Sequence, residues 1–146
     1  ITGGLGNIGS HTSVKLLEKN YDIVLVDNLS NCKFDVKDKI KSLSKKDFEF
    51  FDWDIRDRSF LRKIFLNNKI DNVIHFAGLK QVIHSEEYPL KYYENNVTGS
   101  LNLFMEMKTA GVKSIIFSSS ASVYGDSKLK KYSENSALNQ LVFMEK

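Results

Sequence analysis

Residues 1–10 read ITGGLGNIGS, with G-x-x-G-x-x-G at Gly3, Gly6 and Gly9 and an overlapping G-x-G-x-x-G at Gly4, Gly6 and Gly9. Glycine at this spacing permits a tight turn, lets backbone approach a pyrophosphate, and lets a helix pack closely on a strand. A helical pattern follows at residues 8–20, so its free amides and positive dipole end would face phosphates. A glycine turn alone is a weak signal, because such turns are common without any ligand. Context strengthens it. Residues 22–26 (DIVLV) read as a buried strand leading to Asp27, which lies 18 residues beyond Gly9. An acid there can accept hydrogen bonds from an adenosine ribose and repel a 2′-phosphate, favouring NAD over NADP. Without that context Asp27 is a turn acid in an Asp-Asn pair.

The same alternation continues along the chain. Residues 48–52, 72–77 and 114–118 read as further strands. Amphipathic stretches at residues 36–44, 59–67 and 90–110 separate them. Strand, helix, strand, helix implies parallel pairing through right-handed crossovers, an α/β doubly wound sheet of the Rossmann type. In the long helix, Val97, Leu101, Phe104 and Met105 fall at core spacing, and Gly111 offers a left-handed stop. Only Ile1 and Thr2 precede the glycines, so the central first strand is expected to be truncated. We expect one domain over residues 1–146, incomplete at both ends.

Bulk properties set limits on function. With 42% hydrophobic and 27% charged residues, the 146-residue chain is globular rather than disordered. Its net charge of +3 is spread among lysines such as Lys37, Lys39 and Lys41, interleaved with apolar residues. That is a solvated helix face, not a nucleic-acid patch. The single Cys32 rules out an intrachain disulfide, and His11, His75 and His84 lack metal-ligand spacing, so no metal is expected. No apolar run reaches membrane-span length and no signal peptide is visible, so cytoplasm is the expected compartment.

Six pieces, the glycine turn among them, occur in order: TGGLGNIGSHT from Thr2, VDNLSN from Val26, DIR from Asp54, HFAGLK from His75, YYENNVTG from Tyr92 and FSSSASVYGD from Phe117. By this ordered set the chain resembles the UDP-glucose 4-epimerase family of extended short-chain dehydrogenases/reductases. The resemblance covers nearly all of residues 1–126. It implies that Gly3, Gly6, Asn7, Ile8 and Gly9 cradle the NAD pyrophosphate, although relatives usually carry an aromatic residue where Asn7 stands. It places Asp27, Asn28, Leu29 and Asn31 at the adenosine ribose, and Asp54 and Ile55 at adenine. Phe76, Ala77, Gly78, Leu79 and Lys80 would run beside the cofactor, Asn95 would reach toward nicotinamide, and Ser120 would hold the reacting sugar hydroxyl. Taken singly, Lys80 is a loop lysine, Asn95 part of a polar helix turn, and Ser120 a polar strand end.

The implied reaction interconverts UDP-galactose and UDP-glucose through a 4-keto sugar, in a homodimer paired through long helices. A tyrosine base and a lysine in Tyr-x-x-x-Lys would complete the site about two dozen residues after the serine. No tyrosine follows Tyr132 here; Tyr132 has no lysine four residues later, and Tyr124, although Lys128 stands four residues on, belongs to the FSSSASVYGD piece only four residues after Ser120. The chain alone is therefore expected to be inactive, without its substrate-binding C-terminal domain. Its ending, NQLVFMEK (residues 139–146), can be encoded so that a shift of one nucleotide reads Pro-Ile-Ser-Phe-Tyr-Gly-Lys, so a frameshifted tail is expected. Two other functions fit part of the pattern: a non-catalytic NAD-binding module, and an NAD-dependent nucleotide-sugar dehydratase or decarboxylase. Ala121 and Ser122 stand where a dehydratase needs an acid pair, which favours the epimerase.

Overall fold

The computed structural model describes residues 1–125, 132–136 and 138. The expected frameshifted tail lies outside them. Four parallel strands form the sheet: β1 (Val24–Asp27), β2 (Glu49–Asp52), β3 (Asn72–His75) and β4 (Ser114–Phe117). β1 pairs with β2, and β3 with β4. The two halves meet at the chain start, where Thr2 bridges to both Val26 and His75. Thr2 N–H donates to Ile74 O at 3.0 Å, and Thr2 O accepts from Phe76 N–H at 2.9 Å. The spatial order is thus β2, β1, residues 1–2, β3, β4. The chain goes one way from residues 1–2 and later crosses to the other side, which opens a switch point above them.

Strand alternation sorts the core into two layers. Leu25 faces one side with Leu5, Leu17 and Ile40, under α1 (Asn7–Glu18) and α2 (Asp35–Ser44). Val26 faces the other with Ile55, Leu61, Ile64, Val73, Leu103 and Met107, under α3 (Arg58–Asn67) and α6 (Gly99–Ala110). α3 starts where the Asp57 carboxylate accepts from Phe60 N–H at 3.1 Å, satisfying one free amide of the first turn. α6 stops at Gly111, at φ +75°, as its sequence position predicts.

The single helix expected at residues 90–110 is instead composite. α4 (Val82–Glu87) precedes it, a short α5 (Pro89–Tyr92) begins it, and a π-turn (Tyr93–Thr98) leads into α6. The expected core face is also corrected: Val97, Leu101, Phe104 and Met105 are between 37% and 56% exposed. Ser100, Leu103, Glu106 and Met107 face inward instead. The π-turn takes an extra residue per turn and rotates the face that follows it.

Glu106 is only 1% exposed and receives Nε of Arg58 at 2.5 Å and Nε of Arg62 at 3.0 Å. The Arg62 and Arg58 guanidinium groups hold its carboxyl below the usual range. Removing both arginines would leave a buried charge uncompensated. Arg58→Ala with Arg62→Ala should lower the urea midpoint at pH 7 clearly more than Lys39→Ala, which breaks only the exposed pair with Asp35. Equal midpoints would refute the pairing.

Candidate functional site

A cleft of about 550 Å³ opens over the switch point. Its floor is the glycine turn. Gly3 sits at φ +66°, and a β-carbon there would lie 2.6 Å from Ala77 N. A β-carbon on Gly9 would lie 2.1 Å from Gly3 O, so α1 closes onto the turn only because position 9 has no side chain. Gly6 caps α1 without a side chain, and its first turn carries no acidic residue. The helix end thus presents bare amides and an uncompensated positive dipole to the cleft. Gly3, Gly6, Asn7, Ile8 and Gly9 all line it.

At the end of β1, Asp27 is fixed by three donors. Oδ2 accepts from Leu5 N–H at 3.0 Å; Oδ1 accepts from Leu29 N–H at 3.0 Å and from the Cys32 thiol at 3.3 Å. Burial first, then the Asp27 carboxylate, push the Cys32 thiol up to about 12, which keeps it a neutral donor. Asp27, Asn28, Asn31 and Ile55 line the cleft. Leu29 and Asp54, expected in the same wall, are not among the lining groups. Leu29 packs against the core layer under α1 and α2. The Asp54 carboxylate is taken up by Arg56, through Nε at 3.0 Å and Nη2 at 2.9 Å, and by Asn28 Nδ2 at 2.8 Å. Burial works to raise its pKa, but these hydrogen bonds outweigh it and leave Asp54 at about 2.

The opposite wall is the loop from Phe76 to Lys80, all of whose residues line the cleft. Asn96 clamps it: Oδ1 accepts from Leu79 N–H at 2.8 Å and Nδ2 donates to Leu79 O at 2.8 Å. Asn95, buried beside it, donates Nδ2–H to the same Oδ1 at 2.9 Å. Asn96 lies in the YYENNVTG piece, to which the resemblance adds a role only for Asn95. Below the loop, His75 joins Thr2 Oγ1 (2.5 Å) to Ser100 Oγ (2.8 Å), and Ser100 Oγ–H donates to Asn96 O at 2.5 Å. Ser100 spends its proton on Asn96, so it accepts from His75 Nε2–H. Nδ1 then accepts from Thr2. Burial lowers the His75 pKa to about 4. Ser118, Ser119 and Ser120 complete the rim past β4. Trp53, Ser30 and Cys32 also line the cleft, and the sequence reading assigned none of them a role there.

A doubly wound sheet with a glycine turn opening on its switch point defines a Rossmann-type α/β domain. The chain belongs to the NAD dependent epimerase/dehydratase family, whose pattern matches residues 1–141. It is 51% identical over 138 residues to a UDP-glucose 4-epimerase of Neisseria meningitidis serogroup A, covering 94% of this chain and 41% of that protein. A UDP-glucose 4-epimerase of Bacillus subtilis is 50% identical over 125 residues, covering 86% and 37%. The structure of UDP-glucose 4-epimerase from Bifidobacterium longum, in complex with NAD+ and UDP, superposes with a TM-score of 0.92 at 42% identity, over 94% of this chain and 41% of that one. This chain therefore spans about two fifths of the length of these relatives.

Proposed function

We propose that this chain is the NAD-binding part of a UDP-glucose 4-epimerase, an isomerase that interconverts UDP-galactose and UDP-glucose through a 4-keto sugar in galactose metabolism. The observation that carries the reading is the cleft itself. Side-chain-free Gly3 and Gly9, the bare amides of α1 and the triply held Asp27 carboxylate lie along one crevice. This donor set fits a pyrophosphate followed by a ribose.

In this reading Gly3, Gly6, Asn7, Ile8 and Gly9 bind the pyrophosphate. Asp27, Asn28 and Asn31 take the ribose, and Leu29 shapes its turn. Ile55 lies beside adenine, and Asp54 acts at the rim through Asn28 and Arg56. The clamped loop from Phe76 to Lys80, with Asn95, positions the nicotinamide side, where the Lys80 ammonium supplies positive charge. Ser120 hydrogen-bonds the sugar hydroxyl. NAD⁺, when bound, supplies the hydride acceptor; the chain's own groups bind, orient and exclude water. The base that takes the hydroxyl proton belongs to a Tyr-x-x-x-Lys pair about two dozen residues after the serine, and residues 1–146 hold none at that distance from Ser120. On its own, this chain binds cofactor without turnover. The longer enzyme is a cytoplasmic homodimer. The exposed stripe Leu90, Tyr93, Val97, Leu101 and Phe104 along α5, the π-turn and α6 is its pairing surface.

Calorimetric titration of the chain with NAD⁺ and NADP⁺ tests the cofactor. NAD⁺ should bind and NADP⁺ should bind much more weakly. Asp27→Asn should narrow the ratio of the two affinities by roughly ten- to a hundredfold, the worth of hydrogen bonds to a charged acceptor. Using the ratio cancels any loosening of the turn that affects both cofactors alike. Absence of NAD⁺ binding would sink the reading. Product analysis of the longer protein with UDP-galactose separates an epimerase from a dehydratase or decarboxylase.

A further inference from the structure

We infer that Trp53 is the aromatic wall on which the adenine of a bound dinucleotide stacks, an assignment that rests on the cofactor reading above. Trp53 directly follows β2, and its N–H donates to Asp27 O at 3.1 Å. The indole therefore leaves the end of the strand next to the one bearing the ribose acid. Neighbouring strands lie about 4.8 Å apart, so a base attached to a ribose at Asp27 arrives beside Trp53.

The ring is held before any ligand comes. It stacks on Phe60 at a centroid distance of 4.5 Å and an interplanar angle of 21°. Its Nε1–H donates to Asp57 Oδ2 at 2.9 Å, and Asp57 is itself fixed as the cap of α3. Yet the residue remains 45% exposed and lines the cleft together with Asn28 and Ile55. A rigid indole, anchored at its polar tip and left open to a cleft, offers a flat apolar surface at little entropic cost. The nearby cation does not compete for it: Arg56 is committed to Asp54 and Glu94. An uncharged aromatic ring such as adenine suits this surface better than a phosphate does.

Trp53 is the only tryptophan in the chain, so it reports on itself. Fluorescence of the chain at 295 nm excitation should change on titration with NAD⁺, with the midpoint found by calorimetry. AMP should change it in the same direction, and nicotinamide mononucleotide should leave it flat. Trp53→Phe should retain most of the affinity for NAD⁺. Trp53→Leu, which still covers Phe60 without offering a ring, should weaken it about tenfold, the order expected of one base–aromatic stack. If NAD⁺ binds by calorimetry but the signal stays flat, or Trp53→Leu binds as tightly as the parent, the inference is overturned and the cofactor reading stands. A response to nicotinamide mononucleotide alone overturns it too. If nothing binds, both fall.

Discussion

Alanine at position 9 should abolish NAD⁺ binding and unsettle the N-terminal half of the sheet. The added β-carbon would lie 2.1 Å from Gly3 O and 3.0 Å from both Gly3 C and Gly4 Cα. All three are backbone atoms of a turn that cannot retreat. Gly3 N–H is tied to Val26 O at 2.8 Å, Gly3 O accepts from Gly6 N–H at 3.2 Å, and Ala77 backs Gly3 from the other side. α1 must therefore move away, carrying with it the amides that face the cleft and Leu17, which fills the core against Leu25. Overpacking of this kind costs about 3 kcal/mol or more. We expect a lower melting temperature and an affinity reduced more than a hundredfold. Gly6→Ala is the control. Its β-carbon would meet only Gly3 O, at 3.3 Å, so the fold should survive while the new methyl stands near the ligand's path. A Gly9→Ala chain that melts and binds like the parent would show that α1 does not seat on the turn as described.

Much of this site was legible because its chemistry is local. The glycine spacing and the strand leading to Asp27 carry their meaning within a few residues, whereas the loop after β3 was given a place only by the family resemblance. The switch point follows from the alternation of elements. Long-range partnerships were not legible. Glu106 reads as an ordinary helix-surface acid; its burial depends on Arg58 and Arg62, which reach it from another helix. The helical phase of residues 90–110 failed for a related reason. Two apolar stripes are present, and the π-turn decides which one meets the sheet, so Leu103 and Met107 took the place given to Leu101 and Phe104. Asp54 illustrates the difference between position and availability: it sits at the strand end as expected, but Arg56 two residues on occupies both its oxygens. Trp53 stands between a strand end and an acid, and only its exposed place in the cleft lining distinguishes it from a core aromatic.

His75 should make the domain acid-sensitive in a window where carboxylates are still mostly ionised. The ring is 3% exposed, and burial lowers its pKa from 6.5 to about 4. Above pH 6.5 both the folded and the unfolded chain hold it neutral. Between pH 6.5 and 4 the unfolded chain takes up a proton that the folded one refuses, so stability falls as pH falls. Below about 4 both forms are protonated and this contribution is gone. The shift corresponds to a loss of about 2–3 kcal/mol across the window, with a slope of at most about 1.4 kcal/mol per pH unit. The hydrogen bonds give the same sign. Neutral His75 accepts from Thr2 and donates to Ser100, whereas protonation would turn the Nδ1 acceptor into a second donor. The damage would fall on the seam of the fold, because Thr2 bridges β1 and β3, and Ser100 supports Asn96 and through it the Leu79 loop. Urea titrations of the parent and of His75→Asn at pH 7.0, 6.0 and 5.0 would measure this. The variant should be less stable at pH 7.0 but lose less as the pH falls, and the difference between the two chains cancels the carboxylates they share. Parallel pH profiles would mean that His75 is not held neutral, and that the link from Thr2 to the cofactor loop does not depend on its charge.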